Sequence, residues 1–219
     1  MTRKAPHDPP REHPAAVDLK RVIPTYSARR GVFAVVEVPP LQFLMIDGHG
    51  DPNTAAEYHD AVSTLYPMAF TLKALGRRVH GTNHRVMPLE ALWWADDPSA
   101  FTTRRDKSRW SWTAMILVPD EVTAQDVDEA RRLVATRGSA PAVGKVRFDR
   151  LDEGTCVQTL HVGPYDAEGP VLAQMHEEFI PANGLSPTGP HHEIYLGDPR
   201  RAAPERLRTI LRQPVRRTG

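Results

Sequence analysis

The sequence predicts an α+β chain in which two β-α-β-β repeats, related by a pseudo-twofold, form antiparallel sheets with helices on one side and a groove on the other. Three observations lead there. Short runs rich in Val, Ile, Phe and Trp, bounded by Gly, Pro and Asp, read as strands: GVFAVVEV, LQFLMID, PLEALWWA, WSWTAMILVP and TCVQTLHV. Each half carries one segment of helical period behind a Gly turn. The order also recurs. LMIDGHGDP precedes the first helical segment as TLHVGPYDA precedes the second, which places Gly50 on Gly163, 113 residues on. LEALWWADDP falls on HEIYLGDPRR, which places Glu90 on Glu193, 103 residues on. Sheets with one apolar face need covering, so helices gather on one side and the uncovered faces meet as a cleft.

Taken in order, residues 1–18 contain Pro6, Pro9, Pro10 and Pro14 among charges without an apolar period, and are expected to be a disordered extension. Residues 19–215 form one domain: a first repeat over about 31–119, a linking helix over about 121–138 and a second repeat over about 146–215. Pro39 and Pro40 separate the first two strands. After the turn GHGDPN, Asn53 or Thr54 caps a helix with Glu57 as capping-box partner. Tyr58, Val62, Leu65, Tyr66, Ala69, Phe70 and Leu72 form its core face, and Pro67 kinks or divides it. PLEALWWA and WSWTAMILVP then read as an antiparallel pair joined by a basic connection; Glu90, Leu92 and Trp94 share a face of one, Trp110 and Trp112 a face of the other. Thr123 caps the linking helix and Gly138 stops it. Strands at Val146–Phe148 and Thr155–Val162 lead through the turn GPYDAEG into a helix carrying Val171, Leu172, Met175, His176 and Phe179. A final strand runs Leu207–Val215, with RRTG as a frayed tail.

The stretch HHEIYLGDPRR, residues 191–201, concentrates the chemistry. It reads as a strand entering a turn, and strand parity puts His191, Glu193 and Tyr195 on one face with His192, Ile194 and Leu196 on the other. The aliphatic pair belongs to a core under helices, which leaves an acid beside a phenol on the opposite face. From this strand alone Glu193 reads equally well as a solvated residue on an open sheet.

The formal net charge of +1 gives no global field toward nucleic acid or membranes, and no paired amphipathic helices precede the first strand, so direct nucleic-acid binding is not expected. No apolar run approaches a membrane span, and no signal-type segment opens the chain; a cytoplasmic location is expected. The single cysteine, Cys156, excludes an internal disulfide and reads as an inert buried thiol. His191 and His192 point to opposite faces without a third ligand at metal spacing, so neither a metal nor a cofactor is expected.

The segments FLMIDGHGDPN, MPLEALWW, WSWTAMILVP, EGTCVQTLHVGPYDAE, HHEIYLGDPRR and LRTILRQPV, in this order, resemble the GyrI-like small-molecule-binding family from about Leu19 to Val215. The resemblance implies two repeated β-α-β-β units of SHS2 type with a ligand groove at their junction. It implies relatives among effector domains of multidrug-responsive regulators, gyrase inhibitors, and stand-alone proteins that bind lipophilic drugs or hydrolyse cyclopropane-bearing alkylators. In the drug-binding relatives a buried glutamate sits among aromatic rings; Glu193 matches it.

Two functions then compete for one site. In the first, ionised Glu193 with Tyr195, Trp94, Trp110, Trp112, Glu90 and Met115, with His161 reaching in from its strand and Tyr165 at the mouth, binds flat, lipophilic, often cationic aromatics through charge, stacking and a repacking thioether. In the second, the same groove hydrolyses a strained electrophile, with desolvated Glu193 as general base and Tyr195 assisting. A gyrase or other protein partner rests on the family resemblance alone and ranks last.

Overall fold

A computed structural model describes residues 15–97, 106–138 and 140–219. The expected disorder of residues 1–14 and much of the basic connection before Trp110 lie outside the described residues. Within them the strands are β1 Ala34–Val38, β2 Leu41–His49, β3 Leu89–Trp94, β4 Ser111–Leu117, β5 Arg147–Leu151, β6 Gly154–Val162, β7 Leu185–Pro187, β8 His191–Tyr195 and β9 Arg208–Arg217. They form a curled, wholly antiparallel sheet in the order β1-β6-β9-β8-β3-β4-β2-β5. β7 lies beside β9 in line with β8, and Thr188 N–H still donates to Pro214 O between them. The tail expected to fray is therefore paired, since Arg216 and Arg217 continue β9 opposite Ser186 and Leu185.

The strand order is a palindrome about the β3/β8 junction. β1 and β2 recur as β5 and β6 at a constant distance of 113 residues, which is the spacing from Gly50 to Gly163. The arms exchange partners: β1 leads into β2 yet pairs with β6, and β5 leads into β6 yet pairs with β2. The register then fixes the spacing between β3 and β8. Met45 and Glu90 both face Met115, and their counterparts Gln158 and His192 both face Arg212, so β8 repeats β3 at 102 residues. The spacing of 103 that placed Glu90 on Glu193 is one residue too long. Such a slip exchanges the two faces of a strand. The counterpart of Glu193 is Ala91, and Glu90 stands on the opposite face from Glu193.

Directly opposed residues share a face, so two neighbouring rows describe the sheet. One runs Met45, Met115, Glu90, Ile194, Ile210, Leu160; the other runs Ile46, Ala114, Ala91, Glu193, Leu211, Thr159. Helices meet the second face. From α2, Ala56–Leu75, Tyr58 reaches Trp93 and Trp112, and from the second helical segment His176 reaches His191. The parity of the 191–196 strand is as the sequence implies, but the helices lie over its Glu193 side. The side of Ile194 is covered by the N-terminal segment, which enters through α1, Leu19–Val22, and buries Thr25 and Tyr26.

Local signals were followed unevenly. α3, Ala124–Ala135, starts at Thr123 as expected, there within a capping box with Asp126, and Gly138 adopts φ 67° after it. α2 starts at Ala55 without a side-chain cap, because the Asp51 carboxylate takes the Asn53 backbone and side-chain N–H groups within the turn. Pro67 lies inside α2 and does not divide it. The second helix is interrupted: α4, Gly169–Ala173, passes through a π-helical stretch, Gln174–Phe179, into α5, Ile180–Ala182. Pro181 has no N–H for the carbonyl four residues back, and a widened turn relieves the clash.

One glycine is set by packing. Opposite Trp112 in the β2/β4 pair, Gly48 has the indole lying across it, and an added Cβ would fall 2.2 Å from the ring. Gly48→Ala is therefore expected to destabilise the fold by about 1–3 kcal/mol through overpacking, read as a lowered denaturant midpoint with unchanged slope. An unchanged midpoint would mean that the Trp112 ring shifts freely.

Candidate functional site

The face under the helices gathers an aromatic box around one carboxylate. Parity of β8 delivers Glu193 and Tyr195 side by side, and the Tyr195 hydroxyl donates to Glu193 Oε2 at 2.8 Å. Trp93 Nε1–H donates to the Tyr195 oxygen at 3.2 Å. These two residues are 102 apart, so the bond joins pseudo-equivalent positions across the symmetry axis. Tyr58 of α2 stacks on Trp93 at 5.9 Å and sets its ring edge-on to Trp112 at 5.0 Å. Trp110 meets Trp93 at 5.6 Å, and Tyr165 meets Tyr195 at 5.4 Å. The Glu193 side chain is 14% exposed.

Burial and the Glu193 charge act on the surrounding phenols in one direction. Tyr195 and Tyr58 are held well above the ordinary tyrosine value, first by burial and then by Glu193. Tyr165 is pushed up to about 12 by burial, then by Glu168 and Glu193. All three stay protonated at neutral pH, and Tyr195 uses its proton on Glu193. His191, also on this face, has Nε2 3.8 Å from Glu193 Oε1.

The sequence-predicted residues are divided by the sheet. Glu193, Tyr195, Trp110 and Tyr165 come together. Trp112 lies on the same face, fully buried beneath Tyr58, one ring removed from the carboxylate. His161 is buried and hydrogen-bonds the Pro164 carbonyl oxygen at 3.1 Å, fastening the turn that presents Tyr165. Lys107 ties the same turn to Asp166 at 3.0 Å and stands 5.8 Å from the centre of the Trp110 ring. Trp94, Glu90 and Met115 belong to the opposite face, where Glu90 and Met115 are fully buried. The sequence reading missed Trp93 and Tyr58. Trp94 shares a face with Glu90, whereas Trp93 is the tryptophan opposite Trp112.

The opposite face holds an ionic network across the same axis. His192 lies between two carboxylates, with Nδ1 2.9 Å from Glu153 Oε1 and Nε2 3.0 Å from Glu90 Oε2. Arg212 donates to Glu153 Oε2 at 2.8 Å, to Gln158 Oε1 at 3.2 Å and to the Thr25 carbonyl at 2.8 Å. The Tyr26 hydroxyl donates to Glu90 Oε1 at 2.5 Å. Glu90 and His192 are again pseudo-equivalent. Every member is closed in by another, so this set anchors the N-terminal segment and is not open to a ligand.

Cys156 is fully buried, and burial first, then Glu153, pushes its thiol up to about 12. Among the described residues no three His, Cys, Asp or Glu side chains gather to hold a metal ion, and no helix is long and apolar enough to cross a membrane. In the 197–200 turn, Arg200 donates to both Asp198 oxygens at 3.0 Å.

A curled antiparallel sheet with a carboxylate enclosed by rings at the junction of two repeats defines a small-molecule-binding domain. The chain belongs to the GyrI-like family, described as a GyrI-like small molecule binding domain, which matches residues 33–216. It is similar to an uncharacterized conserved protein from Listeria innocua, with 37% identity, a TM-score of 0.83, and coverage of 91% of this chain and 100% of that one. It is also similar to two structures described as hydrolases from Listeria innocua. One shows 35% identity and a TM-score of 0.78 over 91% of this chain and all of the other. The second shows 34% identity and a TM-score of 0.81 over 92% of this chain and all of the other. No curated protein sequence matches the chain.

Proposed function

We propose that the chain is a hydrolase of flat, lipophilic aromatic molecules that carry a strained, carbonyl-conjugated ring such as a cyclopropane. The observation that carries this reading is the Glu193–Tyr195 pair inside the aromatic box: a carboxylate that accepts from a phenol and stands among rings, where it can act as a base. The 34–35% identity to proteins described as hydrolases supports it. Rings of Tyr58, Trp93, Trp110 and Tyr165 stack a flat ligand, each contact worth about 0.5–1.5 kcal/mol. Glu193 takes a proton from a water, whose oxygen bonds to the ring CH₂. The strained C–C bond breaks, its electron pair runs into the conjugated carbonyl, and solvent protonates the resulting oxyanion. One water is added and no other reactant is needed.

A second reading uses the same box for binding alone. It is favoured by the charge of the site: a carboxylate among ring faces suits planar cations without any chemistry. One paired experiment separates the two. The protein is titrated by tryptophan fluorescence with planar cations, neutral aromatics and a spirocyclopropyl cyclohexadienone, and each sample is then chromatographed. Conversion of the dienone to its hydrated, ring-opened phenol supports hydrolysis. Saturable quenching with every compound recovered intact leaves a sequestering protein.

A further inference from the structure

Building on the hydrolase reading above, we propose that His191 is a positioning residue that holds the attacking water against Glu193. The imidazole is set on the face of the site by β8 parity, two residues before Glu193 and four before Tyr195. Neither of its ring nitrogens has a hydrogen-bond partner, although both atoms are buried. Two buried, unpartnered nitrogens on one ring are costly to keep, and such a group is retained where a ligand or a water completes it. Nε2 lies 3.8 Å from Glu193 Oε1, too far for a direct hydrogen bond. One water seated off the line between them reaches both at about 2.8 Å.

Such a water gives one O–H to the carboxylate and the other to the Nε2 lone pair, so that its own lone pairs face the ligand. Attack then needs only transfer of the first proton to Glu193. The acceptor role requires a neutral imidazole, and the surroundings enforce one. Burial first, then the neighbouring His176 and His192, pull His191 down to about 3, against a smaller opposing pull from Glu153. The His176 ring lies 6.2 Å away on the helical side and is itself held low by burial.

The test uses the full chain and a spirocyclopropyl cyclohexadienone as substrate, with quenching by a neutral, ring-saturated analogue to report binding. His191→Ala is expected to lower kcat about 100-fold with KM and the analogue Kd changed less than about threefold, because water placement and not ligand binding is lost. His191→Gln, whose amide oxygen reaches the Nε2 position, is expected to restore kcat to within about tenfold of wild type. Thermal melting of both variants separates these effects from misfolding. A raised KM with unchanged kcat, or an Ala variant as fast as wild type, overturns the role of His191 while the hydrolase reading stands. A wild-type chain that binds the analogue but leaves the dienone intact overturns the reading on which it rests.

Discussion

Glu193→Gln is expected to reduce turnover of a spirocyclopropyl dienone by about 10³-fold, within the range that removal of a general base produces. The amide keeps the shape of the carboxylate and still accepts from the Tyr195 hydroxyl, so the box should remain assembled. What it cannot do is take the proton of water. Binding of a neutral flat aromatic should therefore change little, whereas a planar cation of equal size should bind at least about tenfold more weakly, because its counter-charge is gone. Steady-state kinetics and fluorescence titration on the same preparations read both. Turnover by the variant at the wild-type rate would remove Glu193 from the role, and equal loss for cation and neutral ligand would remove its charge from recognition.

Arg212→Met should have the largest effect on stability, about 3–5 kcal/mol, measured by denaturant unfolding. Methionine fills much of the volume but leaves Glu153 without its guanidinium, and leaves Gln158 and the Thr25 carbonyl without a donor, all inside the fold. The N-terminal segment should loosen with it, seen as faster backbone hydrogen exchange around Thr25 and Tyr26. The network also carries a pH signature. His192 faces carboxylate acceptors on both ring nitrogens, so both must carry protons. Burial lowers its pKa, but Glu153 and then the bond to Glu90 outweigh it, and the group is raised above 6.5. Its contribution is complete below pH 6.5 and fades as the pH rises through the higher folded value. Glu153 acts oppositely. Burial raises it, but His192 and Arg212 hold it near 2, so its contribution is complete above about 4.5 and is lost as the pH falls toward 2. The network is strongest between those limits. Three other histidines, His84, His176 and His191, are pulled below 6.5 chiefly by burial and cost stability as the pH falls below that value. Imidazole NMR at pH 7 should show His192 charged and these three neutral; a neutral His192 would mean that the ring is not the cation of the network.

The element order could be read from the sequence because strands and helices here are short, periodic and punctuated by Gly and Pro. What could not be read was register. The Gly50 to Gly163 match was right, and the strand lengths following from it agree residue for residue between β2 and β6. The acid-to-acid match of Glu90 with Glu193 was attractive chemically and wrong by one residue, which is enough to place two carboxylates on opposite sides of a sheet. Trp94, on the same face of its strand as Glu90, went with it, and Trp93 was passed over; Met115, chosen for its adaptable thioether, lies directly opposite Glu90. Glu193, Tyr195, Trp110 and Tyr165 were reachable because they depend on a single strand or turn and not on pairing. Tyr58 looked like core because its helical spacing is that of a core face, and it does pack there while its hydroxyl serves the site. The covering of the Ile194 face by residues before β1 had no sequence signal, since that segment has no apolar period.

The exchanged arms bear on how the chain is made. β1 lies more than a hundred residues upstream of its partner β6, while its own neighbour β2 takes its second partner from β5 just before β6. During synthesis from the N-terminus, β1 has no edge to join until residues 154–158 have emerged, and Val38, buried in the finished fold, must wait exposed in the meantime. The first repeat is thus born incomplete at both ends, and the two halves close on each other in one late, long-range step of the kind that slows folding. A cell that needs this protein in quantity must keep that waiting strand from pairing with another copy of itself.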